Sequence, residues 1–451
     1  MSRRLLSLLS ASLLTACLQP LDVDDDDADG STGAEASDPG APEVRDGGFS
    51  HATGTIPNAI DGWNDPEVLV PDAVRVFDAL PLEGALPVEP WSGSYWPEHQ
   101  GGIAYRWRTG ESFVHDHMSR AEAIDAPPDE IDALSPAEKY DLYAGNYGWS
   151  LTKRLLSETH PDEASWTGYC HGWAPASAAY DEPAPVTVVN PDGIEITFGS
   201  SDVKALLSYY RGSVVTSTFA AHDWARQPRV SGTVCSSANP ADPACHDTNP
   251  GTFHIVMANK LGLQGEHFLF DVDPTVQKWN QPAWGYASTV LESREPARYA
   301  SEGTATELLV RTELEYTIEI EPTHGTVVGS PRQHSRTLIV HYTLDLDAEG
   351  RILGGQWQAP MEDGGFASLD EVWSYLMKAD EDHDGEVDFT EDEARDIVWQ
   401  NFRFPDYLWL QDDPEWSDTH THLRTGWELI ATTGSSRQLM YEYFSLVPDL
   451  L

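Results

Sequence analysis

Between Glu313 and Glu321 the chain alternates strictly: Leu314, Tyr316, Ile318 and Ile320 are interleaved with Glu313, Glu315, Thr317, Glu319 and Glu321. A period of two with one charged side predicts a strand that has one wet face. Leu338, Val340, Tyr342 and Leu344 repeat the pattern, and Asp347-Ala-Glu-Gly350 turns the chain back into the run from Arg351 to Trp357, so antiparallel hairpins follow. Shorter runs at Phe253-His-Ile-Val-Met257 and Phe268-Leu-Phe270 also read as strands. Upstream the spacing is helical. Ser135-Pro136-Ala-Glu138 has the form of a capping box with proline in the first turn, opening a helix through Tyr140 and Leu142. A second helix is expected to start near Cys170 and run through Ala174 to Tyr180, with Pro175 in its first turn. Ser201-Asp202 caps a third, which carries Val203, Leu206, Leu207 and Tyr210 on one face. The expectation is an α+β fold with helices packed on an antiparallel sheet, and no internal repeat is visible.

The chain ends change that picture at the N-terminus. Arg3 and Arg4 precede the apolar run Leu5 to Leu14, which is too short for a membrane span and ends in small residues, so residues 1–16 read as an export signal. Leu14-Thr-Ala-Cys17 has the form of a bacterial lipobox, which makes Cys17 a lipidated mature N-terminus. Residues 17–60 read as an acidic, disordered tether rich in Gly, Ala, Ser and Pro. Residues 61–451 are then long enough for a catalytic domain that needs no staples. The expected location is the bacterial cell envelope or surface, as a lipid-anchored outer-membrane lipoprotein that meets the membrane only through its lipid.

The chain carries 27 basic and 74 acidic residues, a formal net charge of −47 at pH 7. That repels nucleic acid and anionic headgroups, so no nucleic-acid partner is expected. Lysine occurs only at 139, 153, 204, 260, 278 and 378. In an exported chain Cys235 and Cys245 are close enough in sequence to close a short disulfide across a Ser, Asn and Pro-rich loop. Cys170 is then the thiol left over, which is unusual outside the cytoplasm unless it is sheltered or used.

Cys170 precedes His254 and Asp271 in the chain, the order found in papain-like and transglutaminase-like thiol acyltransferases. A helix starting at Cys170 would aim unpaired N–H groups at the sulfur and, later, at an oxyanion. His171 would point about a quarter turn away on that helix and is a poor base. A hairpin from 253 to 271 would instead set Asp271 beside His254 and fix its tautomer, with Asp273 as the fallback orienter. Trp166 or the Cys170 amide would line the oxyanion hole.

Asp380, Asp382, Asp384, Glu386, Asp388 and Glu391 occupy the ligand positions of an EF-hand loop, with Gly385 at its turn and Val387 at its aliphatic position. Apolar residues before it (Leu369, Val372, Trp373, Tyr375, Leu376) and after it (Ala394, Ile397, Val398) extend the motif over 366–401. One bound Ca²⁺ is expected, and no organic cofactor.

Gly168-Tyr-Cys170-His-Gly-Trp-Ala-Pro175, followed by Trp279-Asn-Gln-Pro282 with Gly285-Tyr286, resembles the nucleophile segment and the peptide motif of the oomycete transglutaminase elicitor family. Ser94-Tyr-Trp96-Pro97, Gly102 to Trp107, Gly354-Gly-Gln-Trp357 and Pro405-Asp-Tyr-Leu-Trp409 resemble it too. The resemblance implies a papain/transglutaminase-like core and a protein-glutamine γ-glutamyltransferase, with Cys170 as nucleophile, His254 as base and then acid, and Asp271 as its orienter. Its substrates would be glutamine- and lysine-bearing proteins or primary amines, with water as the alternative acceptor in deamidation. Ala283-Trp284 departs from the family's peptide, so immune recognition of that peptide does not carry over. A papain-like thiol protease and a non-catalytic calcium-binding surface module are the competing readings.

Overall fold

A computed structural model describes residues 58–221, 228–232, 247–272, 278–360, 365–368 and 404–411, together with 372, 376, 378, 389, 390 and 393. The signal, most of the tether, Cys17, Cys235, Cys245, Asp273 and the ligand residues from Asp380 to Asp388 and Glu391 lie outside the described residues. Ala59 bridges Gly354 and Asn58 is buried, so compact structure already includes 58–60, which the sequence assigned to the tether.

Helices come first. They are α1 (Arg120–Asp125), α2 (Pro128–Asp132), α3 (Pro136–Tyr143), α4 (Ser150–Glu158), α5 (Cys170–Ala179) and α6 (Ser200–Ala221). The predicted capping box opens α3, with the Ser135 hydroxyl accepting from the Glu138 N–H and the Glu138 carboxylate accepting from the Ser135 N–H. At α6, Asp202 accepts from the Gly199 N–H at 2.8 Å and also holds the buried Lys139 ammonium of α3 at 2.7 Å. A buried carboxylate paired in this way ties the start of one helix to the middle of another.

Strands β1 (Glu83–Ala85), β4 (Arg229–Gly232), β5 (Phe268–Asp271), β6 (Asn280–Arg294), β7 (Thr306–Thr317), β8 (Ser335–Leu346), β9 (Ile352–Pro360), β10 (Phe366–Ser368) and β11 (Tyr407–Leu410) form one antiparallel sheet, ordered β10-β9-β8-β7-β6-β5-β11-β4 with β1 also on β6. β2 (Val186–Val189) and β3 (Glu195–Phe198) make a separate hairpin. Leu314 and Tyr316 of β7 face Leu338 and Arg336 of β8 in register, and Leu338, Val340, Tyr342 and Leu344 are buried as their alternation requires. The Asp347 turn joins β8 to β9, its carboxylate accepting from the N–H groups of Glu349 and Arg351 while Gly350 takes φ 78°. Mixed helices on an antiparallel sheet are therefore the architecture.

Two elements differ from expectation: β7 ends at Thr317, short of the alternation that runs to Glu321, and a helix replaces a strand at 253–257. Residues 253–257 form no strand but lie in α7 (Pro250–Met257), which Pro250 starts and the Asn249 side chain caps by accepting from the Gly251 N–H at 2.8 Å. Every residue of α7 is buried, so no polar phase reveals the helical period, and a short apolar run reads equally as a strand.

The sheet separates two cores. At β5 and β11, Leu269 and Trp409 pack with α3 to α6 on one face, whereas Phe268, Phe270, Leu408 and Leu410 pack with α7 on the other. The period-two rule then fixes which face each strand-end side chain joins.

Candidate active site

Cys170 opens α5, with Tyr169 as a helix-capping residue that contributes no side-chain bond. Two close approaches hold this end. A Cβ on Gly172 would come within 1.9 Å of the Ser208 carbonyl oxygen of α6, and one on Gly168 within 2.6 Å of the Tyr95 carbonyl oxygen. The Tyr169 N–H donates to that Tyr95 carbonyl at 2.6 Å. The two glycines flanking Cys170 are there because backbone occupies the space a side chain would need.

By alternation Asp271 lies on the same sheet face as Leu269, the α5 face, and it pairs with Asn280 across β5 and β6. The Asp271 Oδ1 accepts from the Trp279 N–H at 2.8 Å, and the Val272 N–H donates to the Trp279 carbonyl, which closes the loop between the two strands. Lys278 and Asn280 flank this loop and meet the thiol. The Cys170 S–H donates to the Lys278 carbonyl at 3.3 Å, and the Asn280 Nδ2 donates to Sγ at 3.5 Å. The Asn280 Oδ1 accepts from the Tyr407 hydroxyl at 2.8 Å, so the amide is oriented with its N–H₂ toward sulfur. Tyr95 stacks edge-on to Trp279 at 5.2 Å.

Cys170 is only 4 % exposed and, among the described residues, is a free thiol. Burial pushes its pKa up to about 11; the Asn280 bonds oppose this, while Glu319 and Asp271 add to it. The Tyr407 hydroxyl is held well above its usual range by burial and then by Asp271 and Cys170, so it stays a donor. Burial therefore favours the thiol form of Cys170, because a short helix end and one amide do not outweigh desolvation.

The remaining residues expected at the site fall elsewhere. His254 sits on α7 with its Nδ1 against the Tyr342 hydroxyl at 2.8 Å and its ring stacked on Phe77 at 5.4 Å, in the core across the sheet from Cys170. Burial lowers its pKa to about 4. The 253–271 hairpin that was to join His254 to Asp271 is corrected, because β5 pairs with β6 and β11 instead. Cys170 and Asp271 are brought together and His254 is not. His171 lies near Tyr169, its pKa lowered by burial, and makes no bond to the thiol among the described residues. Trp166 is partly buried in the turn after Ala164, and its indole makes no hydrogen bond among the described residues.

Asn280, Tyr407 and Tyr95 received no role from the sequence, although each lies in a segment that carried the resemblance. The signal was present: motifs far apart in the chain converge on one thiol.

Around the segment expected to bind calcium, Val372 and Phe389 pack on the α7-side core and Leu376 is buried in it. Thr390 and Glu393 cap each other reciprocally, as at the start of an exit helix. No group of metal ligands occurs among the described residues, and the loop's ligands from Asp380 to Asp388 and Glu391 are not among these.

Among solved structures, the GP42 transglutaminase from Phytophthora sojae is similar at a TM-score of 0.48 and 21% sequence identity, covering 75% of this chain and 86% of that one. No curated protein matches. The family model for the transglutaminase elicitor matches residues 153–384, more than half of the chain, a span that holds Cys170, Asp271 and Asn280. This chain belongs to the transglutaminase elicitor family.

Proposed function

We propose that the protein is a protein-glutamine γ-glutamyltransferase whose nucleophile is Cys170. The observation that carries the reading is the convergence of three separate segments, at Tyr95, Lys278 to Asn280 and Tyr407, on a sheltered thiol at a helix N-terminus. Shelter suits a thioester, because water kept from the intermediate leaves it for an amine.

The Cys170 sulfur attacks the carbon of a glutamine carboxamide, the C–N bond breaks, and the thiol proton passes to the departing nitrogen so that ammonia leaves neutral. Asn280 donates toward the sulfur, the Cys170 N–H at the start of α5 would meet the developing oxyanion, and Asp271 is the carboxylate held on the same sheet face to relay the proton. An amine, or water, then takes the acyl group and restores the thiol.

Incubation with a glutamine peptide and a tagged primary amine tests this: amine incorporation that disappears in Cys170→Ala is expected. Peptide fragments in place of incorporation would establish a protease, and ammonia without incorporation a deamidase.

Three features accompany the enzyme in this reading. Asp380, Asp382, Asp384, Glu386, Asp388 and Glu391 would hold one Ca²⁺, which would cross-link the segments flanking the loop, the first of which packs on the core at Val372 and Leu376. Cys235 and Cys245 form a disulfide. Cys17 carries the lipid that anchors the exported chain at the bacterial surface.

A further inference from the structure

We propose that Glu319 binds the ammonium of the acyl acceptor beside Cys170 and takes its proton as the amine attacks the thioester. The proposal rests on the acyl-transfer reading above.

Glu319 follows β7 and is clamped on both sides, with the Ile318 N–H on the His334 carbonyl at 3.1 Å and the Ile320 N–H on the Gly93 carbonyl at 2.9 Å. Both of its carboxylate oxygens are met by the Gln281 Nε2, at 2.9 Å each, and its own backbone N–H also donates to it. Gln281 is 2 % exposed, yet among the described residues its Oε1 has no hydrogen-bond partner, although a buried amide oxygen left unmet is costly. A carboxylate beside an unmet carbonyl oxygen is a set of acceptors short of donors. An ammonium, with three N–H groups and no acceptor, complements it.

The place is right for an acceptor. Ile320, the next residue, is bonded to Gly93, two positions before the Tyr95 whose carbonyl accepts from the Tyr169 N–H beside Cys170, and Glu319 acts electrostatically on both Cys170 and Tyr95. Glu321 acts on the same Tyr95 and lines a cavity of ≈ 640 Å³ in which Asp129 and Asp132 meet Arg108 and His324 beside Tyr105 and Trp107, so the surface on that side of Glu319 is aromatic and of mixed charge. Burial raises the Glu319 carboxyl to about 7, opposed by Gln281 and Arg336, which suits a group that exchanges a proton near neutrality.

The step balances. The ammonium gives one proton to the Glu319 carboxylate, the amine nitrogen bonds to the thioester carbon, and the C–S bond breaks. The second proton lost from nitrogen restores the Cys170 thiol, leaving an amide with one N–H and a neutral Glu319 carboxylic acid.

Two nucleophiles separate this role from a structural one. Cadaverine is a cation near neutral pH and must shed two protons, whereas hydroxylamine is neutral there and needs only to return one to sulfur. With a glutamine peptide as donor, Glu319→Gln is expected to lower the ratio of kcat/KM for cadaverine to that for hydroxylamine by about tenfold or more, whatever it does to the acylation step the two share. Glu319→Asp should recover part of the cadaverine reaction. Equal losses with both nucleophiles, or no loss with either, overturn the assignment. A wild-type protein that forms no hydroxamate overturns the acyl-transfer reading itself, and this proposal with it.

Discussion

At the Cys170 sulfur, two effects of opposite sign meet. The helix end and the Asn280 N–H favour a thiolate, while burial and the nearby carboxylates Glu319 and Asp271 disfavour it, and the pKa of about 11 shows that the second group wins. A thiol held in this form is slow to react as a nucleophile. Alkylation by iodoacetamide should therefore be slow near neutrality and should climb with pH toward about 11. A rate that levels off below pH 8 would show instead that the thiolate is already the resting form. Asn280→Ala removes the one side chain that donates to sulfur, so its alkylation at a given high pH should be slower still. The same residue explains a limit of sequence reading: Asn280 lies in the motif Trp279 to Pro282, but nothing in its neighbours shows that it reaches a cysteine 110 positions earlier.

The elements that carry the site are α5 and the β5–β6 strand pair, and how closely they pack decides whether the thiol is placed. α5 and α6 touch backbone to backbone at Gly172, where a Cβ would stand 1.9 Å from the Ser208 oxygen. Gly172→Ala must push the helices apart or unwind the first turn, and a cost of about 3 kcal/mol or more is expected from denaturant unfolding. Retention of wild-type stability would mean that the helices give way easily. A second prediction at this scale concerns the calcium loop. Calorimetric titration should find one site with a dissociation constant of roughly 10⁻⁴ to 10⁻³ M, abolished in Glu391→Gln, which loses the closing carboxylate. If Ca²⁺ serves only as a helix clamp, thermal stability will rise with it while amine incorporation at fixed temperature does not. The strand β7, the turn at Asp347 and the cap at Ser135 were all legible because one polar face or one local bond specifies each. α7 was not, since a helix buried all round shows no period.

For the molecule as a whole, the sheet acts as a partition with the Cys170 thiol on one side and a buried histidine on the other. His254 bonds to Tyr342 and is neutral at pH 7, its folded pKa lowered to about 4 from 6.5. Because the unfolded chain binds the proton more readily, His254 stabilises the fold above about pH 6.5, and the contribution is lost as pH falls through 4. Asp141, raised to about 6, and Glu319, raised to about 7, work in the opposite direction, so the test is a difference. Relative to His254→Gln, the wild-type protein should lose up to about 3 kcal/mol of unfolding free energy between pH 6.5 and pH 4. A difference that stays flat over that range would mean that His254 titrates normally, and hence that the core around it is open.

What the sequence determined by itself is whatever depends on near neighbours: the hairpins from alternation, the caps from short motifs, the net charge of −47, and Cys170 as the thiol without another assignment. Family membership was legible for the same reason, since its motifs are contiguous. The tertiary structure alone decided which side chains share a space. The side of the sheet on which α7 packs, and the phase of β5, which sends Phe270 one way and Asp271 the other, separate His254 from Cys170 and deliver Asn280, Tyr407 and Glu319 in its place. Strand pairing and layer order join residues far apart in the chain, and no local pattern records a choice made by burial on two faces at once.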